Sequence, residues 1–215
     1  MLKRYNINSM KVQRGLVSNL DNAKILHMAK AQQGIITSTQ VTKAGLPRRC
    51  LTSMVHSGLL VRVERGVYTL PETWEDEFYI LQWRFSRGIF SHETALYLHA
   101  LTDRTPSRYT MTFPFGYNVG NVLKRGLVAK VASKETYQLG IMTLSSPSGN
   151  SIKAYNIERT LCDMVQTRHK ADIQVVSQAM RIYAGSREKD IARLMDYAQK
   201  LQVKTKIQTY MEILL

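Results

Sequence analysis

One stretch decides the fold of the first part of the chain: AGLPRRCLTSMVHSGLLVRVERGVYTLP, residues 44–71. It predicts a short helix that begins at Pro47, because proline suits the first helical position, where its missing N–H would have no partner. Gly58 predicts the end of this helix. Arg48 and Arg49 stand at its start, although exposed cations there face the positive end of the helix dipole and cost about 0.3–1 kcal/mol each. Their placement therefore indicates an anionic partner outside the helix.

The predicted helix has two faces of different chemistry. At 100° per residue, Leu51, Met54 and Val55 share one face with Gly58. The opposite face carries only polar or basic side chains: Arg49, Thr52, Ser53 and His56, with Arg48 at its edge. If the apolar face is buried, these donors point outward, and the arginines lie at the helix end that contacts bases in helix-turn-helix docking. The alternative is a solvated face that holds two arginines by chance.

The flanking segments complete a winged helix. Upstream, residues 18–34 predict a first helix, and the segment that begins at Thr37 predicts a second one with a capping box between Thr37 and Gln40. Downstream, LLVRVERGVYTL predicts a β-hairpin with Gly66 at its turn. A hairpin that directly follows a recognition helix is a wing, which reaches phosphates or the minor groove.

We therefore predict a DNA-binding surface made of the recognition helix, the second helix and the wing. Its residues are Arg48, Arg49, Thr52, Ser53, His56, Thr39, Gln40, Lys43, Arg62 and Arg65.

The charge distribution supports a polyanionic partner for this region. The chain of 215 residues has 30 Lys and Arg against 16 Asp and Glu, a formal net charge of +14. Residues 1–70 carry 11 basic and 2 acidic side chains, or +9, which leaves +5 for the other 145 residues. The first third is thus the predicted nucleic-acid binder. Residues 1–17 are predicted to be a basic N-terminal arm.

The sequence also indicates the cellular compartment of the protein. The sequence has no apolar run of the roughly 20 residues that span a bilayer, and its N-terminus lacks the pattern of a signal peptide. Cys50 and Cys162 are far apart and form no CxxC motif, so they are expected to be small core residues. We expect a cytoplasmic protein with no membrane partner.

The remainder of the chain predicts an α+β domain. A helix is expected from Thr73, strands at RYTMTF, YQLGIMTL and SIKAYN, and a helical layer after Asn156, a predicted N-cap. The predicted organisation is an arm at residues 1–17, a winged helix-turn-helix at 18–72 and a second domain at 73–215.

These residues carry a resemblance to a known family. Residues 66–106, together with the upstream helix-turn-helix and the downstream YNIERTLCDMVQ, resemble the AbiEi family of abortive-infection antitoxins, from about Ser18 onward. The resemblance implies a winged helix that represses its own operon and a C-terminal antitoxin domain. It also implies a nucleotidyltransferase-like toxin that is counteracted without a stable complex, as in a type IV toxin–antitoxin system of phage defence. The partners it implies are double-stranded DNA, as inverted repeats in the promoter, and this toxin.

Catalytic and metal patterns are not found in the sequence. SHETAL has Leu96 where an HExxH motif needs its second histidine, and His92 and His99 alone make a weak metal site. There is no [DE]xK triplet, no GxxxxGK[ST] loop and no nucleotidyltransferase DxD pair, so no enzyme, metal or cofactor is predicted. Arg159 and Asp163 are spaced for an i,i+4 ion pair, which leaves a structural role and a direct antitoxin role open.

Two functions follow from the sequence. The first is a DNA-binding antitoxin and autorepressor, and the alternative is a protein-interaction module that neutralises its partner by direct contact.

Overall fold

The computed structural model describes residues 19–166 and 171–214. Within them the chain divides into two compact units, residues 19–80 with 148–150, and residues 81–147 with 151–214. The predicted α+β class, with a helix-turn-helix unit first, is confirmed. The predicted arm at residues 1–17 lies outside the described residues. The functional boundary predicted between residues 72 and 73 stays a prediction.

The first unit has the element order of a winged helix. Its elements are α1 (residues 19–30), β1 (Ile35–Thr37), α2 (Ser38–Lys43), α3 (Arg49–His56), β2 (Val61–Glu64) and β3 (Val67–Thr69). The strands form an antiparallel sheet in the order β1-β3-β2. Apolar residues from all three helices and from the sheet make one core: Ile25, Ala29, Ile36, Val41, Cys50, Leu51, Met54, Leu60 and Leu70.

Local hydrogen bonds set the limits of α2. The Oγ1 atom of Thr37 accepts from the N–H of Gln40 at 3.3 Å, and the N–H of Thr37 donates to Oε1 of Gln40 at 2.8 Å. The predicted capping box is therefore confirmed. At the other end, Gly45 has a φ of +72°, which glycine adopts without strain. The chain can then turn sharply into α3.

Helix α3 begins at Arg49, two residues later than predicted. The N–H of Cys50 donates to the carbonyl of Pro47 at 3.0 Å, and the N–H of Leu51 donates to that of Arg48 at 3.1 Å. Because these bonds span three residues rather than four, the first turn is tight and Pro47 lies before the helix. The prediction of Pro47 as the first helical residue was wrong. The predicted end at Gly58 is confirmed, since its φ is +73° and its N–H donates to Val55.

A short distant segment packs into the first unit. Residues 148–150 belong to it although they follow the first 80 residues by a long interval. The Nδ2 of Asn150 donates to Oδ2 of buried Asp76 at 2.8 Å, and a Cβ added at Gly149 would lie 2.5 Å from Nε2 of Gln33. No sequence pattern predicted this packing, because it depends on contacts between residues far apart in the chain.

Helix α4 (Glu77–Arg84) is shorter than predicted. It starts four residues after Thr73, because the buried carboxylate of Asp76 accepts from the N–H of Tyr79 at 3.1 Å and so caps the helix there. The prediction of a helix from Thr73 was wrong. The division between the two units falls at residue 80, inside α4.

The second unit is built on a mixed sheet. Its strands are β4 (Ile89–Phe90), β5 (Thr110–Pro114), β6 (Val128–Ala132), β7 (Ile141–Ser145) and β8 (Ser151–Tyr155), in the order β6-β5-β4-β8-β7. β5 pairs parallel with β6, and β4 pairs parallel with β8, whereas β4 with β5 and β7 with β8 are antiparallel. The predicted strands at RYTMTF, YQLGIMTL and SIKAYN are found, with shifted limits. β4 and β6 were not predicted.

The helices of the second unit lie between its strands in the chain or come after β8. They are α5 (His92–Leu98), α6 (Gly120–Lys124), α7 (Lys134–Tyr137), α8 (Ile157–Met164), α9 (Ile173–Gly185), α10 (Ile191–Lys200) and α11 (Lys204–Leu214). The predicted helical layer after Asn156 is confirmed, and Asn156 caps α8 by accepting from the N–H of Arg159 at 3.0 Å. Cys162 lies in the core of this layer, and burial raises the pKa of its thiol.

The Arg159–Asp163 pair is buried within α8. The Nε of Arg159 donates to Oδ1 of Asp163 at 3.0 Å, and both side chains are 3% exposed. The guanidinium also donates to the carbonyls of Thr136 and Leu139 and lies 4.1 Å from the ring centroid of Tyr155. Arg159 thus links α8 to the segment around α7 by hydrogen bonds. These contacts are structural.

Candidate nucleic-acid interface

Helix α3 presents the face that its sequence predicted. Arg49, Thr52, Ser53 and His56 are exposed. On the opposite side Cys50, Leu51 and Met54 are buried. The buried side chains are part of the core shared with α1, α2 and the sheet, so the orientation of the exposed face is fixed by packing. The helix has no acidic residue in its first turn to offset its arginines.

Arg48 is exposed, and it is held in place by α2. Its Nε donates to Oγ1 of Thr42 at 2.7 Å, and that hydroxyl donates to the carbonyl of Ser38 at 2.9 Å. A guanidinium held in this way loses less side-chain freedom when it binds an anion. Thr42 was not among the predicted residues, and no sequence signal connects it to a residue six positions away.

The residues of α2 that were predicted to bind DNA differ in how exposed their side chains are. Thr39 and Lys43 are exposed. Gln40 is half-buried, its Oε1 accepts from both the N–H and the hydroxyl of Thr37, and its amide nitrogen donates to Gln32. This side chain holds the start of α2.

The wing is a short hairpin fastened to α2. The turn between β2 and β3 contains Gly66, whose φ is +82°. The carbonyl of Gly66 accepts from the N–H of Ser38 at 2.8 Å, so the tip of the hairpin is anchored at the start of α2. Arg62 and Arg65 are both exposed on this hairpin, and the N–H of Arg65 donates to the carboxylate of Glu64.

The charges of this surface are almost all positive. Between residues 38 and 69 the chain has five Lys and Arg and a single acid, Glu64. Among the described residues Lys43, Arg49 and Arg62 form no ion pair with an acidic side chain. Burial of Cys50 raises the pKa of its thiol, so this residue adds no negative charge. The site is suited to the phosphate backbone of a nucleic acid.

The two histidines considered for a metal make structural hydrogen bonds. The Nε2 of His99 lies 2.8 Å from the carbonyl oxygen of Tyr155, and Nδ1 of His92 lies 3.1 Å from Oγ of Ser91. Burial lowers the pKa of His99, which favours the neutral ring. In residues 19–166 and 171–214, no three His, Cys, Asp or Glu side chains cluster as metal ligands.

In the same described ranges, no helix combines the length and apolarity that crossing a membrane requires.

A family model of known proteins matches the segment that forms the winged helix. Residues 24–71 match the family model described as "Transcriptional regulator, AbiEi antitoxin". The matched segment runs from α1 through β3 and contains all ten predicted DNA-binding residues. The predicted resemblance is confirmed over this segment, and beyond residue 71 it stays a prediction.

No curated protein matches the chain. Among solved structures, the chain is similar to the RV2827C protein from Mycobacterium tuberculosis, with 13% sequence identity and a TM-score of 0.49 over 87% of this chain and 79% of that one.

Proposed function

From the match of residues 24–71 to AbiEi antitoxin regulators, we propose that this protein is the antitoxin of a type IV toxin–antitoxin system. It binds operator DNA through its winged helix and represses its own operon. Residues 73–215 then counteract a nucleotidyltransferase-like toxin. We also propose that the protein acts in phage defence by abortive infection. It is located in the cytoplasm and has no enzymatic activity itself.

The observation that carries the DNA-binding step is the exposed face of α3. Four polar or basic side chains lie on it, with Arg48 beside them, and the opposite side is fixed in a core. Thr52, Ser53 and His56 offer donors and acceptors along the major groove, behind Arg49 at the helix start. Thr39, Lys43, Arg62 and Arg65 lie on the flanking elements and meet phosphates. Gln40 contributes by holding α2 in position.

An electrophoretic shift on the protein's own promoter tests operator binding. We expect the full chain to form a complex that survives excess scrambled competitor, because base contacts add specificity to the phosphate contacts. Since one winged helix reads one half-site, a footprint should cover paired inverted repeats. Equal retardation of the promoter and a scrambled duplex would contradict specific binding. The full chain is used because residues 148–150 pack into the first unit.

Co-expression with the toxin separates the two functions. A type IV antitoxin should rescue growth while the two proteins elute separately from a size-exclusion column. The alternative, neutralisation by direct contact, requires a complex that co-purifies at stoichiometric ratio. Rescue accompanied by such a complex would therefore favour the interaction module and overturn the type IV assignment.

A further inference from the structure

At one end of the five-stranded sheet, the carboxyl ends of β5 and β6 lie near the amino ends of β4 and β8. β5 and β6 are parallel, with Pro114 opposite Ala132, so their carboxyl ends lie side by side. β4 is antiparallel to β5 and parallel to β8, which places the amino ends of β4 and β8 at the same end of the sheet. Ligands of open sheets with parallel strands bind outside the carboxyl ends, because loops there surround a crevice.

A cleft of about 840 Å³ lies at this end of the sheet. Three cations from three segments line it: Arg87 just before β4, Lys134 just after β6, and Lys153 on β8. All three are exposed, and none of the residues that line the cleft is acidic. The nearest acid in sequence, Glu135, is exposed and is not among the lining residues. The cleft is thus suited to a multiply charged anion.

Two aromatic side chains add a flat apolar surface. Phe115 is 83% exposed, yet its N–H donates to the carbonyl of Ala132 at 2.8 Å, so its backbone continues the β5–β6 pairing. Tyr137 also lines the cleft, and its hydroxyl donates to the carbonyl of Arg87 at 2.6 Å. An exposed aromatic ring on a fixed backbone is the arrangement on which nucleobases stack.

Contacts within the second unit hold the Arg87 guanidinium and the backbone of Lys153 in place. The guanidinium of Arg87 lies 5.6 Å from the ring centroid of Tyr117, which stacks on Phe113 with 4.5 Å between ring centroids. The N–H of Lys153 donates to Oε1 of Gln82 at 2.8 Å, and Nε2 of Gln82 donates to the carbonyl of Gly88 at 3.0 Å. These contacts tie the segment before β4 to β8.

We propose that this cleft is a binding site for a phosphorylated nucleotide. Lys134, Lys153 and Arg87 bind the phosphates, and Phe115 stacks on the base. The volume is within the range of small-ligand sites, about 300–1,000 Å³. The nucleotide is either free, as a nucleoside triphosphate, or one unit of a single-stranded RNA. The site belongs to the second unit and does not depend on DNA binding by the winged helix.

Calorimetry and fluorescence anisotropy on the full chain test the proposal. The probes are the four nucleoside triphosphates, inorganic triphosphate, a labelled oligouridine and an oligoglutamate peptide. We expect saturable binding of a nucleoside triphosphate or of the oligouridine, and the tighter of the two identifies the source. Lys134→Ala with Lys153→Ala should weaken binding about tenfold or more through lost phosphate contacts. Phe115→Ala should weaken it about tenfold through lost stacking.

A matched double variant controls for charge. Lys124→Ala with Lys204→Ala removes two exposed lysines of the same unit that do not line the cleft, and it should bind like the wild type. All the substituted side chains are exposed, so unchanged circular dichroism and melting should accompany every variant.

Three outcomes would overturn the proposal. The first is no saturable binding of any nucleotide or oligouridine below about 1 mM. The second is an equal loss in the two double-lysine variants, which means diffuse attraction without a site. The third is binding that Phe115→Ala leaves unchanged, with inorganic triphosphate or oligoglutamate bound as tightly as the nucleotide; the cleft then recognises charge alone.

Discussion

Arg159→Ala is expected to lower the free energy of unfolding by about 3–5 kcal/mol, because it leaves the carboxylate of Asp163 buried without its cation. The substitution also removes the donor to the carbonyls of Thr136 and Leu139 and the cation over Tyr155. Urea denaturation followed by circular dichroism measures the change.

Arg104→Ala is the matched control. It removes the same charge and an ion pair of similar length to Asp172, but both of those side chains are about half exposed. Water screens such a pair, so the unfolding midpoint should be nearly unchanged. A loss after Arg159→Ala no larger than that of the control would contradict a structural role for the buried pair.

Charge reversal shows how much of this effect belongs to the pair alone. Arg159→Asp with Asp163→Arg restores an attraction of opposite charges and should be more stable than either single reversal. It should still be less stable than the wild type, because the reversed pair offers no donor to the two carbonyls that Arg159 serves. Loss of toxin rescue in the double variant, with melting unchanged, would instead assign the pair a direct antitoxin role.

Local chemistry explains why much of the winged helix could be predicted from the sequence. The capping box at Thr37, the end of α3 at Gly58 and the two faces of α3 depend on residues within a few positions of one another. Helical periodicity was therefore sufficient to identify Arg49 and Thr52 as exposed and Leu51 as buried.

The features that could not be predicted depend on long-range contacts. β4 has two residues, too few for a strand pattern, and it exists because β5 and β8 pair with it on both sides. The roles of Arg48 and Gln40 depend on hydrogen bonds to Thr42 and Gln32. The cleft proposed to bind a nucleotide takes its cations from three separate segments, so only the order of the strands places them together.

A second large effect is expected on DNA affinity, after substitution of Arg49. Arg49→Ala should cost about 1–3 kcal/mol on the operator and little on random duplex, because its guanidinium at the start of α3 can pair with O6 and N7 of one guanine. Its exposed side chain forms no ion pair within the described residues, so the charge is available to DNA.

Arg62→Ala is the matched comparison, because it removes the same group from another exposed position, on the wing. A phosphate contact carries no base information, so this variant should weaken binding to operator and random duplex alike and lower the slope of log K against log salt by about one. Anisotropy titrations of both duplexes at several salt concentrations separate the two residues. If Arg49→Ala weakened both duplexes equally, its guanidinium would contact phosphate, and base readout would fall to Thr52, Ser53 and His56 further along the same face.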